Sequence, residues 1–266
     1  MFDIERWQEI FQTLGKNKLQ TFLTMVSVFS GVLILIILIG FSNGIQNGVR
    51  SQFEKDATNR IAIRGGVTTK EYRGLNPGRS ILMRNNDFNE LNARYEDDIE
   101  YKTSIFNIWG GQLTYGKESE NYRIQGVYPD QQFIENADMV AGRFLNQDDI
   151  DESRKIAVIG GQIRKDLFKN KEPIGEVVKI FDINFKVVGV FSDPGGEREE
   201  NKVFIPITTG QKVFNGADNI RAMAYTINMS ENFDEAVLLS QSLIENFEND
   251  LKNKHNVAPD LSLIHI

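Results

Sequence analysis

A long uncharged segment near the N-terminus constrains this chain more than any other feature. No charged residue occurs from Leu19 to Val49, and Leu23–Phe41 is almost entirely apolar. As an α-helix, that apolar stretch spans about 28 Å, close to the roughly 30 Å hydrocarbon core of a bilayer. The sequence therefore predicts one transmembrane helix over 19–49. The residues expected inside the bilayer include Leu23, Val28, Gly31, Leu35, Leu38 and Phe41.

Two other structures fit this apolar segment less well. A buried core helix would keep a polar face, whereas Val32–Ile39 is apolar on every side. A cleaved signal peptide has a hydrophobic region of about 7–15 residues followed by small residues at a cleavage site. The sequence that follows here, from Gly40 to Gly44, lacks an A-x-A pattern. A membrane helix is the favoured interpretation.

The residues before the membrane segment form an amphipathic stretch. Apolar side chains recur at helical spacing, and charged ones fill the other face. Two interpretations stay open: a helix lying at the lipid interface, or a helix packed against a helix of another protein. Residues 1–18 are therefore predicted to form a cytoplasmic amphipathic helix. Its apolar face carries Trp7, Ile10, Phe11 and Leu14.

Positive charges flank the membrane segment on both sides. Lys16 and Lys18 precede it, and Arg50, Lys55 and Arg60 follow it. The positive-inside rule is thus nearly balanced, but the two lysines lie closest to the apolar core and favour a cytoplasmic N-terminus. We expect residues 50–266 to lie outside the cytoplasm, with the chain anchored in the cell (inner) membrane.

Composition excludes several classes of function. The net charge of −7 argues against a nucleic-acid partner, because phosphate binding needs a basic surface. The chain has no cysteine, which excludes disulfides and thiolate metal sites. Its two histidines, His255 and His265, lie close to the C-terminus and argue against a histidine metal site or a Ser-His-Asp triad. The sequence predicts no catalytic residues, no metal and no cofactor.

One segment has the spacing of a phosphate-binding P-loop. Gly111, Gly116 and Lys117 match that pattern, but Glu118 replaces the Ser or Thr that would hold Mg²⁺. A carboxylate there would also repel a triphosphate. The surrounding residues read as a hairpin, so we predict a β-turn and no nucleotide site.

An acidic cluster follows further along the chain. Asp148, Asp149, Asp151 and Glu152 include a carboxylate spacing that occurs in calcium loops. The later glycine and glutamate of an EF-hand are missing. We predict a solvated helix start or turn.

The soluble part mixes strands and helices without strict alternation, which predicts an α+β fold. A helix over Asn86–Tyr95 is expected, with Asn85 or Asn86 as its N-cap. Val177–Phe181 and Phe185–Phe191 predict a hairpin. A long amphipathic helix is predicted from Asn232 to Lys254. The apolar side of that helix carries Phe233, Ala236, Val237, Leu239, Leu243, Ile244, Phe247 and Leu251.

A series of short motifs occurs along the chain. It comprises Gly142, Arg143, Phe144 and Asp149 of a GRxF turn, Pro173 and Gly175 of a PIG motif, Gly189 of an FxVVGV strand, and Pro206. In order and spacing, over about residues 5–258, these motifs resemble one known family, the MacB-type permease subunits of ABC transporters. This family includes the lipoprotein-releasing (LolC-like) permeases and is distantly related to FtsX.

The resemblance implies a particular architecture. It places an extracytoplasmic domain at 50–266, between the first and second of four membrane helices. That domain is expected to have two lobes: a porter-like lobe and a β-rich lobe inserted in it at roughly 106–204. Three further membrane helices are typical of the family, and the residues after Pro259 do not resemble them. The resemblance therefore predicts a truncated or incomplete reading frame.

The function implied by the resemblance is that of a non-catalytic permease subunit. It would couple a separate ABC ATPase to the outer domain, for export or extraction of a peptide, a lipoprotein or a small toxic compound. The implied partners are membrane lipid, a second permease chain in a homo- or heterodimer, and a periplasmic adaptor. The alternatives are a single-pass ligand-binding sensor or adaptor, and a membrane-anchored enzyme, which the missing catalytic residues disfavour.

Overall fold

The computed structural model of the chain describes residues 18–56, 60–228 and 233–258. The chain divides into two compact units, Met1–Asp56 and Ala57–Ile266. Two predicted segments lie outside the described residues: the amphipathic helix with Trp7, Ile10, Phe11 and Leu14, and the tail after Pro259.

In the first unit, the described residues form one long helix, α1, at Lys18–Asp56. Its Lys18–Ser42 portion is long and apolar enough to cross a membrane. Leu23, Val28, Leu35, Leu38 and Phe41 are all more than half exposed, and Gly31 is exposed as well. A helix in the core of a soluble protein would bury such side chains, because apolar area in water is costly. Their exposure fits a helix whose natural surroundings are lipid.

The second unit is the α+β domain that the sequence predicts. Its helices are α2 (Asn85–Arg94), α3 (Gln131–Ile134), α4 (Gln147–Asp151), α5 (Gly161–Ile163), α6 (Ile207–Val213) and α7 (Phe233–His255), with a 3₁₀ turn at Glu96–Asp98 and a π turn at Arg164–Phe168. Its strands are β1 (Arg60–Arg64), β2 (Met83–Arg84), β3 (Ile99–Ile108), β4 (Gln112–Tyr115), β5 (Glu118–Asn121), β6 (Arg123–Val127), β7 (Asp138–Gly142), β8 (Ile156–Gly160), β9 (Val177–Ile180), β10 (Ile183–Ser192), β11 (Lys202–Pro206), β12 (Asn219–Ile220) and β13 (Ala222–Ile227).

Eleven of these strands form one mixed sheet, in the order β1-β13-β3-β6-β11-β8-β10-β9-β4-β5, with β7 paired to β10. Most pairs are antiparallel, while β6–β11 and β8–β10 are parallel. The strand β3 joins the two halves of the sheet. Its first part, from Ile99 to Ile105, pairs with β13, and its last three residues, Phe106–Ile108, pair with β6.

The apolar residues separate into distinct cores. The terminal core packs β1, β13, α2 and α7 together around Ile61, Tyr225 and Phe247. Two central cores lie among β4 to β11, one around Phe185 and the other around Phe204. Phe106 packs against both the terminal core and the first central core. The inserted lobe predicted at roughly 106–204 stays a prediction.

One local expectation is wrong, and two further details are not anticipated by the sequence pattern. The N-cap of α2 is Arg84, not Asn85 or Asn86, because the Asp87 carboxylate accepts the Arg84 backbone N–H at 2.8 Å. The hairpin between β9 and β10 turns at Phe181 and Asp182, whose φ angles are 45° and 68°. Strand β5 was not predicted, because all four of its residues are polar and exposed and show no apolar alternation.

Candidate functional site

The C-terminal half of α7 is held firmly in the terminal core. Leu243, Phe247 and Leu251 recur every fourth residue and are all buried, as the predicted apolar stripe requires. The Phe247 ring packs edge-on against Tyr95, with centroids 4.8 Å apart, and lies 5.2 Å from the ring of Tyr225. Burying side chains of this size contributes about 1.5–3 kcal/mol each.

A buried carboxylate on α2, that of Asp87, joins α7 to the rest of the domain. Asp87 is 2% exposed and lies in the first turn of α2, where the helix dipole favours a negative charge. Its Oδ1 is 2.8 Å from Lys254 Nζ, and its Oδ2 is 3.2 Å from His255 Nε2. Burial alone raises the pKa of Asp87, but hydrogen bonds from His255 and Lys254 outweigh it and lower the pKa to about 2. The carboxylate is therefore held in its charged form.

Two arginines donate hydrogen bonds to acceptors at the C-terminal end of α7. Arg79 Nη2 donates to the carbonyl oxygens of His255 and Asn256, at 3.1 Å and 2.9 Å. Arg73 Nη1 donates to Asn256 Oδ1 at 3.0 Å. Asn256 has a φ of 52°, the left-handed conformation that commonly ends a helix. Cationic donors at this position bond the last carbonyls and complement the helix dipole. We call Arg79, Asp87, Lys254 and His255 the α7 clasp.

Strand β1, which lies at the beginning of the domain, packs in the same terminal core. All five residues of β1 pair with β13, which precedes α7 in the chain. Ile63 of β1 lies opposite Met223, and both are buried in the terminal core with Phe247. Strand β1 and helix α7 therefore contribute to one core, and β13 both pairs with β1 and precedes α7 in the chain.

The family-motif glycines lie where backbone segments approach each other closely. Gly142 has a φ of 71°, and a Cβ there would lie 2.2 Å from the Val188 carbonyl oxygen. A Cβ on Gly189 would lie 2.1 Å from the carbonyl oxygen of Arg143. Neither position can hold a larger residue without moving the backbone. The two glycines thus let β7 and its following turn approach β10.

The remaining family-motif residues lie in turns and in the core. Gly175 has a φ of 89° with open space around its Cα. Phe144 is buried with Phe204 in a central core. Pro173 and Pro206 are buried, and Pro206 is the N-cap of α6.

The predicted solvated acidic cluster is wrong for one residue. The helix start is present as α4, with Asn146 as its N-cap. Asp149, however, is fully buried and accepts from Arg143 Nη1 and Nη2 at 2.6 Å and 3.0 Å, and from Arg154 Nη1 at 3.2 Å. Burial raises the pKa of Asp149, but the hydrogen bonds from Arg143, the Asn146 backbone and Arg154 together outweigh it, so its pKa is lowered. Arginines occupy the oxygens that a calcium ion would need.

The P-loop-like segment is a hairpin, as its context predicts. Strands β4 and β5 pair antiparallel, and the turn between them contains Gly116, with a φ of 61°. Glu118 follows the turn and pairs with Lys169 at 2.8 Å. A strand–loop–helix, which phosphate binding by this motif needs, does not form at these residues.

The sequence interpretation missed the α7 clasp. A weak signal was available, because an acidic residue three positions after Arg84 and basic residues in the last turn of α7 both match helix-end chemistry. That Asp87 meets Lys254 and His255 depends on the tertiary fold, across 168 residues in the case of His255.

Comparisons with known proteins agree with this architecture. A family model described as the MacB-like periplasmic core domain matches residues 21–239. The macrolide export ATP-binding/permease protein MacB of Chlorobium phaeobacteroides is 28% identical over 222 residues, which are 81% of this chain and 33% of that protein. The protein of the same name from Chlorobaculum tepidum is 26% identical over 260 residues, 95% of this chain and 38% of that protein. The chain therefore spans about a third of the length of these curated relatives.

A solved structure shares the fold. The periplasmic region of MacB from Actinobacillus actinomycetemcomitans superposes with a TM-score of 0.63 and 22% identity, covering 80% of this chain and 90% of that one. In the part of the chain that the structure describes, one apolar helix is able to cross a bilayer and precedes this α+β domain. Together with the match to a periplasmic core domain over residues 21–239, this indicates a membrane-anchored protein with an extracytoplasmic domain. With the family model matching most of its length, the chain belongs to the MacB-like periplasmic core domain family.

Proposed function

We propose that this chain acts as a non-catalytic permease subunit of an ABC transporter, which couples ATPase movement in the cytoplasm to the extracytoplasmic domain. The observation that carries the proposal is the shared anchoring of β1 and α7 in the terminal core. A domain moved from the membrane must receive that movement where its chain enters and leaves. Here both places belong to one packed unit, which can move as a rigid body.

The proposal includes an orientation and a set of segments. Residues 1–18 form the cytoplasmic helix, 19–49 cross the inner membrane, and 50–266 lie outside the cytoplasm, with a lobe inserted at roughly 106–204. Lys16 and Lys18 support a cytoplasmic N-terminus. Protease added to intact spheroplasts should digest the large domain. Protection of that domain would overturn the orientation.

The proposed partners follow from the family. They are membrane lipid, a separate ABC ATPase, a second permease chain in a homo- or heterodimer, and a periplasmic adaptor. The names of the relatives combine ATP-binding and permease functions and specify macrolide export. For this chain we propose export or extraction of a small toxic compound, a peptide or a lipoprotein. The buried residues of the α7 clasp serve the coupling step and are not proposed to contact cargo.

Reconstitution with an ATPase tests the coupling directly. The chain, joined to the three C-terminal membrane helices of a MacB relative, is placed in proteoliposomes with an ABC ATPase. We expect it to change the turnover of the ATPase. An unchanged turnover would contradict the permease proposal and favour the single-pass adaptor.

A further inference from the structure

Two crossed ion pairs connect α2 and α7 on the surface of the terminal core. Glu90 and Arg94 lie one turn apart on α2, and Asp250 and Lys254 lie one turn apart on α7. Lys254 Nζ is 2.6 Å from Glu90 Oε2, and Arg94 Nη1 is 2.5 Å from Asp250 Oδ1. The residue order is reversed between the two helices, so they run antiparallel at this contact.

The charge pattern is compatible with one register of the two helices. Sliding α7 by one helical turn, about 5.4 Å, would bring Lys254 beside Arg94 or, in the other direction, Asp250 beside Glu90. Both shifted arrangements place like charges together, which is unfavourable. In the observed register, every one of these four groups faces its opposite.

The buried side of the contact agrees with the same register. Leu91 and Leu251 are buried, and they line the same surface cavity as the four paired residues. The Tyr95 hydroxyl donates to Asp250 Oδ2 at 2.8 Å, while its ring packs on Phe247. Lys254 also reaches the buried Asp87 carboxylate at 2.8 Å. The polar and apolar contacts therefore fit together at the same alignment of α2 and α7.

We infer that the crossed ion pairs are a register lock, which makes α2 and α7 move together when the end of α7 is displaced. This mechanical role rests on the proposed function and specifies where movement would be transmitted. Glu90 and Arg94 are more than half exposed, and exposed pairs of this kind contribute little to overall stability. The register lock acts because the shifted registers place like charges together and are therefore less stable.

Distance measurements on the full-length chain test the lock. The chain has no cysteine, so spin labels can be attached at Asn89→Cys on α2 and Asn249→Cys on α7, two exposed positions. In detergent micelles, pulsed electron paramagnetic resonance should give one narrow distribution of distances between the two labels in the parent chain. Arg94→Glu faces Asp250 with a like charge and should broaden that distance or shift it by about 5 Å, one helical turn. Adding Asp250→Lys restores opposite charges and should restore the narrow distance.

Two further variants keep the test decisive. Lys169→Glu is the control, because it breaks a similarly exposed ion pair with Glu118 that lies outside α2 and α7. It should leave the distance between the two labels unchanged. If Arg94→Glu does not fold, Arg94→Gln replaces it, with a smaller broadening expected. An unchanged distance in the Arg94 variants, or no recovery in the double variant, contradicts the lock. No ATPase is needed, so the lock and the permease proposal can fail separately.

Discussion

Two buried carboxylates in this domain occupy similar positions in their helices but bind partners at very different distances along the sequence. Asp87 and Asp149 both lie in the first turn of a short helix, and both accept the backbone N–H of the residue that caps it. Asp149 binds Arg143 and Arg154, which lie within six residues of it. Asp87 binds Lys254 and His255 at the other end of the domain sequence.

This difference in the sequence separation of their partners indicates that the two carboxylates have different roles. The Asp149 network fixes a local turn, so it stabilises the fold wherever that turn occurs. The Asp87 network fixes α7 to α2, so it joins two helices that are far apart in the sequence. Under the proposed coupling function, only this second network lies where movement would pass between membrane and domain.

The largest expected effect lies in the core that the clasp covers. Phe247→Asp places an unpaired charge among Tyr95, Tyr225 and Leu243, and should destabilise the domain by several kcal/mol (about 3–5). Thermal unfolding of the full chain in detergent, followed by circular dichroism, measures this. Leu238→Asp on the same helix is the matched control, since Leu238 is 65% exposed and its replacement should change little. Similar melting temperatures for both variants would mean that α7 is not part of the core.

The turn around Asp149 offers a second, smaller effect. Gly142→Ala is expected to destabilise the domain by about 2–4 kcal/mol, because it combines a left-handed φ with a clash against the Val188 carbonyl. Gly175→Ala has a similar φ of 89° but open space around it, and should cost about 1 kcal/mol from strain alone. Urea unfolding of both variants checks the order. An equal cost at the two positions would show that the close approach of β7 and β10 is unimportant.

The smallest effect is a dependence on pH. The pKa of Asp87 falls from 3.8 to about 2 on folding, so its contribution is present above about pH 4 and is lost as the pH falls toward 2. The shift from 3.8 to about 2 corresponds to at most about 2–3 kcal/mol. The stability difference between the parent and Asp87→Asn, measured by urea unfolding, should therefore shrink between pH 5 and pH 2.5. A difference that stays constant over this range would show that the charge of Asp87 is not what the clasp depends on.

The sequence predicted the features that depend on local pattern. The apolar period of α7 correctly identified Leu243, Phe247 and Leu251 as buried, and the run from Leu19 to Val49 identified the helix able to cross a membrane. The hairpin predicted at Val177–Phe181 and Phe185–Phe191 also located β9 and β10, which contribute to a central core. These signals are local because each reflects which face of one element is buried.

Features that depend on tertiary contacts were not predictable in this way. Asp149 was expected to be solvated, because the acidic run around it hides the arginines that enclose it in the fold. The partners of Asp87 could not be identified, because residue spacing within one helix carries no information about a helix more than 150 residues away. Strand β5 was missed because it pairs by its backbone while exposing every side chain.

Hydrogen exchange on the full-length chain in detergent tests the contrast between the two carboxylates most directly. Asp87→Asn should raise amide exchange over residues 247–256 by roughly tenfold or more, corresponding to about 1.4 kcal/mol, and leave α4 and β7 unchanged. Asp149→Asn should do the reverse, raising exchange in α4 and β7 while residues 247–256 stay protected. Unchanged protection of α7 in Asp87→Asn, or the same exchange pattern in both variants, would contradict the account that the α7 clasp joins the two ends of the domain.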